Sequence, residues 1–336
     1  MNLKMIFSTD IDTDQWQHLV ERSPTASFFQ TPECYAFYNS LSFLKPFIYG
    51  ISENDKLVGV MCGYIIADGN VLKQYFSRRA IVPGGLLLDA DISSEALHKL
   101  LQEAVKELSR KTIYIEIRNY NNYGSYKSIL ASTGFNYLAH MNIHVPISNL
   151  EKTLSGMNDS KRRQLKTAQR AGVIWIETTN PNDILAFYAC LSHLYKTKVK
   201  TALFPLEFFQ KLVGLENGKL LIVKHNETVI GGMACVLLPN NALYEWFVCG
   251  EETVEKAYYP SVVATWAGLE CAVQNHLPRF DFMGAGKPDS DYGVREFKSK
   301  FGGELVEHGR FLYICKPKLY ALGKWVVKKM KSLKTR

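Results

Sequence analysis

The segment 54–77, NDKLVGVMCGYIIADGNVLKQYFS, aligns without a gap to 226–249, NETVIGGMACVLLPNNALYEWFVC. Few residues are identical (Asn54 and Asn226, Gly59 and Gly231, Met61 and Met233). The apolar pattern matches, and so does the polar turn, Asp68-Gly69-Asn70 against Asn240-Asn241. Any two hairpins can look alike, so one such pair proves little. A second pair follows in the same order at an offset of about 170: Tyr123-Gly124 with Tyr292-Gly293, and Gly134 with Gly303. Between them each copy reads as a long helix (93–110; 260–275) and a strand (112–117; 279–283). Duplication explains this order better than coincidence. The chain is therefore expected to hold two related α/β halves with mixed sheets, 1–150 and 151–315, followed by a tail, 316–336. The boundary is placed near Pro146–Gly156.

Within the first half, helices are expected at 12–21, 32–40, 93–110 and 123–132 and strands at 46–52, 56–67, 71–77 and 113–117. Ser93 or Ser94 caps the long helix, and Leu97, Leu100, Leu101, Val105 and Leu108 recur at helical spacing. Pro83-Gly84-Gly85 reads as a turn. Phe135 to Val145 alternates apolar and polar residues strictly, as one strand would.

Apolar residues make up 47% and charged residues 21% of the 336, enough to build a core without disulfide or metal staples. The seven cysteines include no C-x-x-C pair and sit mostly in apolar runs, so they read as small core residues of a reducing compartment. Asp10, Asp12 and Asp14 stand where a secretory signal would need an apolar core. A cytoplasmic protein is expected. The net charge of +8 lies entirely in the tail, which from Lys316 onward carries eight basic residues and no acid. The body is neutral and is not a general polyanion binder, so DNA is not an expected partner. The tail, PKLYALGKWVVKKMKSLKTR, interleaves Leu319, Leu322, Trp325, Val326, Met330 and Leu333 with lysines. That is the composition of an interfacial helix on an anionic membrane surface, or of a docked terminal helix with its lysines in water.

A duplicated fold needs one active site, so differences between the copies matter. In Gly293-Val294-Arg295-Glu296-Phe297-Lys298-Ser299-Lys300-Phe301, the residues Val294, Phe297 and Phe301 form a core-facing stripe, and Lys298 falls on it. The matching position in the first copy is Ile129. A lysine there needs an anion or a cavity, or must snorkel out. The functional reading is a lysine that holds a phosphate or stabilises a developing oxyanion. Upstream, Phe280-Asp281-Phe282-Met283-Gly284-Ala285-Gly286 is a strand entering a glycine turn, a place where ligands often bind. Gly284 and Gly286 are thus candidate binding residues, and Asp281 is either a base or a turn-fixing group. Tyr259, just before Pro260 at a helix start, either offers its hydroxyl to a cleft or only packs. The run SKRRQLKTAQRA, 160–171, reads as a helix capped by Ser160, with Arg162, Lys166 and Arg170 on one face and Arg163 beside them. Such a face is either a solvated one or, since it holds no acid, a contact for the phosphate of a nucleotide, tRNA or lipid diphosphate. His140 and His144 fall on the polar face of their strand without an evident carboxylate, and no metal site is expected. There is no P-loop and no G-x-S-x-G elbow.

The stretch DFMGAGKPDSDYGVREFKSKFGGE resembles the signature of the Fem-type aminoacyltransferases (FemABX), with its strand ending in Asp, its glycine turn and its helix G-x-x-x-F-K-x-x-F-G. SKRRQLKTAQRAGVIWIE is similar to that family's link between halves. The resemblance covers about 15–315. It implies tandem acetyltransferase-like (GNAT) domains and transfer of an amino acid from aminoacyl-tRNA to an amine of a peptidoglycan or other cell-envelope precursor. Lys298 matches that family's F-K lysine, and Arg162 or Arg163 fits its basic position. With the residues read above, catalytic roles are expected for Lys298, Asp281 and Tyr259, and substrate contacts for Arg162, Arg163, Lys166, Phe297, Gly284 and Gly286. No cofactor is expected beyond the donor. A broader GNAT or BioF2-like group shares the fold and would use acyl-CoA or another thioester to modify a surface glycan or lipid; the R/Q-x-x-G-x-G/A loop of acetyl-CoA enzymes is not evident. A non-catalytic membrane-peripheral binding protein that kept the fold is the third reading. On any of these readings the expected place is the cytoplasm or, through the tail, the inner face of the plasma membrane.

Overall fold

The structure is a computed structural model that describes residues 2–7, 10–67, 74, 76–290 and 292–334, without the side chains of 327, 328 and 330–334. The turn expected at Asp68–Asn70 and most of the strand expected at 71–77 lie outside the described residues. The chain forms two compact units: one is 1–139 with 308–336, the other 140–307.

The first unit is built on strands β1 (Leu3–Phe7), β2 (Lys45–Glu53), β3 (Lys56–Ile66), β4 (Arg79–Gly84), β5 (Leu87–Leu88), β6 (Tyr114–Asn119), β7 (Asn136–Leu138) and β15 (Arg310–Ile314). Their order is β1-β2-β3-β4-β6-β15-β7, with β5 beside β3, and among the described residues the parallel pair is β4–β6. The helix Ser94–Ser109 lies on this sheet. Ser93 caps it by accepting from the Ala96 N–H. Its apolar stripe, Leu97, Leu100, Leu101, Ala104 and Leu108, is fully buried, each large side chain contributing about 1.5–3 kcal/mol of burial.

The second unit carries β8 (Met141–Pro146), β9 (Val173–Glu177), β10 (Gly218–His225), β11 (Thr228–Leu238), β12 (Ala242–Gly250), β13 (Arg279–Asp281) and β14 (Glu304–Glu307) in the order β14-β8-β13-β12-β11-β10-β9. Here the parallel pair is β12–β13. The helix Pro260–Gln274 is apolar on nearly every side, and eleven of its fifteen residues are buried. It can be so because it is packed between the sheet and the helix Asp159–Arg170.

Laid side by side, the two sheets have one topology. The duplication expected from the sequence is real, and the fold is a tandem one. Two details differ from expectation. In the first sheet β4, not 71–77, holds the place of β12. The run Phe135–Val145 is not one strand: it breaks at Ala139-His140, and β7 and β8 enter different sheets. The later strand β15 fills the vacant place between β6 and β7. The units therefore change over at 139/140 and 307/308, not near 150 and 315, and residues 308–336 return to the first. A strand's alternation does not encode its partner, so this exchange leaves no local mark.

Smaller corrections follow from local chemistry. Asn158, not Ser160, caps the basic helix, which begins at Asp159, and a further helix, Leu150–Gly156, occupies the expected boundary. β4 continues through Pro83 and Gly84, so the turn expected there starts only at Gly85. The tail is a helix, Pro317–Lys334, whose first turn rests on the first unit through Tyr320 against Tyr114, ring centroids 5.5 Å apart. No helix among the described residues is long and apolar enough to cross a membrane.

Candidate active site

β12 and β13 are paired only at Leu243–Phe280 and Tyr244–Asp281. Beyond that point β13 turns away through Phe282–Gly286 while β12 runs on. Glu245 is the first residue of β12 past the parting. The β11–β12 register slips here: Cys235 faces Glu245 and Ala234 faces Phe247, leaving Trp246 as an inserted residue. The bulge lets Trp246 and Phe247 both join an aromatic cluster with Phe208, at centroid distances of 4.8 and 5.5 Å. Glu245 is left pointing the other way, buried to 4% exposure.

Lys298 meets it there. Its Nζ is 3.0 Å from Glu245 Oε1 and donates to the carbonyls of Phe282 (2.8 Å) and Gly284 (3.1 Å). Three acceptors take the three ammonium protons. The lysine expected on a core stripe is indeed nearly buried, at 12% side-chain exposure, and its anion is a protein carboxylate. The stripe itself is shorter than expected. The helix ends at Ser299, Val294 is 43% exposed, and Phe301 reaches the core from the following turn. In the first copy Ile129 packs on the apolar core instead. Burial pushes the Glu245 carboxyl above the ordinary carboxylate range, and Lys298 only partly opposes it. Glu245 Oε2 has no hydrogen-bond partner among the described residues.

The glycine turn is held from both sides. Arg295 donates through Nε to the Ala285 carbonyl at 2.8 Å and through its other nitrogens to those of Lys287 and Pro288. Met283 has φ +56°, Gly284 φ +148° and Gly286 φ +79°, and a Cβ on Gly286 would come within 2.8 Å of the Tyr292 ring. Among the described residues the N–H groups of Gly284 and Gly286 have no hydrogen-bond partner.

Asp281 is fully buried. Its Oδ1 accepts from Asn142 Nδ2 (2.8 Å) and from the Met283 N–H (2.7 Å), and its Oδ2 lies 3.0 Å from His144 Nε2. Burial pushes its carboxyl up, but His144, Arg279 and Asn142 outweigh burial and hold it below the usual range. His144 does have a carboxylate partner, contrary to expectation, because β8 pairs with β13 and sets His144 opposite Asp281.

The other expected residues lie elsewhere. Tyr259 is half-buried in the left-handed region (φ +42°) just before Pro260, and makes no hydrogen bond or ion pair to Lys298, Glu245 or Asp281. Phe297 packs on the core and carries the ammonium of Lys161 4.3 Å above its ring. Lys161 is buried, 8% exposed, so it is not on the solvated basic face. Arg162, Arg163 and Lys166 line a separate groove. Burial raises the thiols of Cys34, Cys62, Cys190, Cys235, Cys249 and Cys271, and all seven cysteines are free. No cluster of three or more His, Cys, Asp or Glu fit to hold a metal occurs among the described residues. Glu245 escaped the sequence reading, though one acid inside the apolar run ALYEWFVC was a usable signal.

Residues 213–328 match the FemAB family model. Among solved structures, the chain is similar to FemX, with 15% identity and a TM-score of 0.72 over 96% of this chain and 99% of that one. A tandem GNAT protein from the clavulanic acid biosynthesis pathway matches at 12% identity and TM-score 0.60, over 94% and 99% of the two chains. The L-PGS of Bacillus licheniformis matches at 12% and 0.56, over 93% and 96%. These likenesses are of fold: the chain is a tandem GNAT-like α/β protein. No curated protein matches it in sequence.

Proposed function

We propose that this chain is an acyltransferase that moves an aminoacyl group from aminoacyl-tRNA to an amine of a peptidoglycan or other cell-envelope precursor. The observation that carries the reading is the closed constellation of Lys298, Glu245 and the 282–286 turn where β12 and β13 part. The FemAB match, which contains all of these residues, supports it.

The reaction needs a nucleophilic amine, a place for the oxyanion, and a proton acceptor. The amine attacks the donor's carbonyl carbon, the tetrahedral intermediate carries negative charge on oxygen, and its collapse expels the donor's leaving oxygen. The half-buried N–H groups of Gly284 and Gly286 are the proposed donors to that oxyanion. Lys298 acts as a positioning residue: with its protons on Phe282, Gly284 and Glu245 it fixes the turn, and its charge lies close to the developing anion. Asp281, held ionised by His144 and Asn142, fixes the Met283 N–H and anchors the start of the turn. The proton is proposed to leave toward the Asp281–His144 pair. The fold's likeness to a tandem GNAT protein supports a second donor class, an acyl thioester acting by the same steps with a thiol leaving group. The helix Pro317–Lys334 is proposed to rest on an anionic membrane surface, where the acceptor would be met: Leu322, Trp325 and Val326 are 47%, 58% and 40% exposed along one side of it.

The test is a donor screen on the full chain with a purified envelope precursor and either labelled charged tRNA or labelled acyl-CoA. The control is Lys298→Met combined with Glu245→Leu, which removes the buried pair as a unit. Transfer from tRNA that the control lacks supports the reading. Transfer from the thioester alone moves the protein to the second donor class, and transfer by the control at the wild-type rate sinks the site.

A further inference from the structure

The helices Leu150–Gly156, Asp159–Arg170 and Pro260–Gln274 of the second unit enclose an open groove of about 500 Å³. None of Lys298, Glu245, Asp281 or the glycine turn lines it. Its floor is hydrocarbon: Leu150, Leu154 and Leu165, with buried Trp266. Its polar lining holds three basic side chains, Arg162, Arg163 and Lys166, and two acidic ones, Asp159 and Glu270.

The charges are not all equal. Arg162 is neutralised at the surface by Asp159 and also donates to the Ser155 carbonyl at 2.8 Å. Glu270, at the far side, accepts from Trp175 Nε1 at 2.9 Å. Arg163 and Lys166 are exposed and have no ion-pair or hydrogen-bond partner among the described residues for their charged groups. Leu150, beside them, is 44% exposed. Set against the single Glu270 carboxylate, Arg163 and Lys166 leave the lining net cationic, and such a charge on the edge of an apolar trough favours a ligand with an anionic head and a hydrocarbon body. A nucleic acid fits less well. Its phosphates would suit the rim, but the floor offers aliphatic side chains and an indole already buried to 4% exposure, so no aromatic face is open for a base to stack on.

We propose that this groove binds an anionic phospholipid of the membrane surface, its phosphate on Arg163 and Lys166 and the start of its acyl chains on Leu150 and Leu154. Lysine and arginine near an anionic bilayer each contribute about 1 kcal/mol, and each buried methylene about 0.8 kcal/mol. The groove makes the second unit a lipid-reading surface in its own right. It stands apart from the proposed chemistry at Lys298 and from the terminal helix.

The experiment titrates the full chain by calorimetry with dihexanoyl phosphatidylglycerol below its micelle concentration. Dihexanoyl phosphatidylcholine, glycerol phosphate and a bulk tRNA serve as comparison ligands. Saturable binding of the phosphatidylglycerol is expected, at least about tenfold weaker in Arg163→Glu/Lys166→Glu. Phosphatidylcholine and glycerol phosphate should each bind at least about tenfold more weakly, the first for want of net charge and the second for want of chains. Both mutated side chains are exposed, so the thermal transition should not move. Equal lipid binding by the Arg163/Lys166 variant, or equal affinity for glycerol phosphate, overturns the proposal. Loss of tRNA binding in that variant with lipid binding unchanged overturns it in favour of a nucleic acid.

Discussion

The ammonium of Lys298 sits 3.0 Å from Oε1 of Glu245, a residue fifty-three positions earlier in the chain, and both side chains are nearly closed to solvent. Such a pair costs desolvation on both sides, so removing one partner is worse than removing both. Lys298→Met should destabilise the protein by roughly 3 kcal/mol, softened by protonation of Glu245, whose carboxyl burial already raises. Lys298→Met/Glu245→Leu should recover most of the loss without recovering transfer. Urea titration of the three proteins gives the coupling. Stability equal to wild type in the single variant would show that the lysine does not hold the turn.

Gly286 is the tightest point of that turn. Gly286→Ala meets both a φ of +79° and the Tyr292 ring, and should cost about 1–2 kcal/mol. Adding Tyr292→Ala removes the collision but not the backbone strain. Thermal unfolding should therefore show partial recovery, and full recovery would mean that the backbone is relaxed at this position.

In the first unit Glu116 accepts from Arg118 at 2.9 Å and from Arg310 at 2.6 Å. Burial alone would raise its carboxyl, but the two guanidinium groups outweigh burial and hold it at about 2. A folded pKa below the unfolded one stabilises the protein above the unfolded value of 4.5, and the gain is lost as pH falls toward 2. At pH 7 Glu116→Gln should cost about 3 kcal/mol, and the gap to wild type should close between about pH 4.5 and 2. A gap independent of pH would assign the loss to packing. Because Arg310 belongs to β15, this ion pair also ties the returning strand to β6.

The terminal helix makes a further prediction. With Lys329 Nζ 5.0 Å over the Trp325 ring and Leu322 and Val326 exposed nearby, it should carry the full chain to anionic vesicles and not to neutral ones. Lys324→Glu/Lys329→Glu should lower the floated fraction, corresponding to at least about tenfold in partition. Equal flotation of the variant and wild type would leave the helix as a docked terminus only.

The sequence by itself determined the local elements and their repetition. Period and capping gave the helix Ser94–Ser109, Pro260 marked the start of the helix Pro260–Gln274, and the glycines themselves gave the turn at Gly284 and Gly286, because these depend on neighbours within a few residues. It also marked Lys298, since a charge on an apolar stripe is visible in one dimension. It did not determine which strands pair. The exchange of β8 and β15, the bulge at Trp246 that aims Glu245 at Lys298, and the pairing that sets His144 against Asp281 join residues 53 to 200 positions apart. Strand register and burial decide such contacts, and only the assembled sheets contain that information.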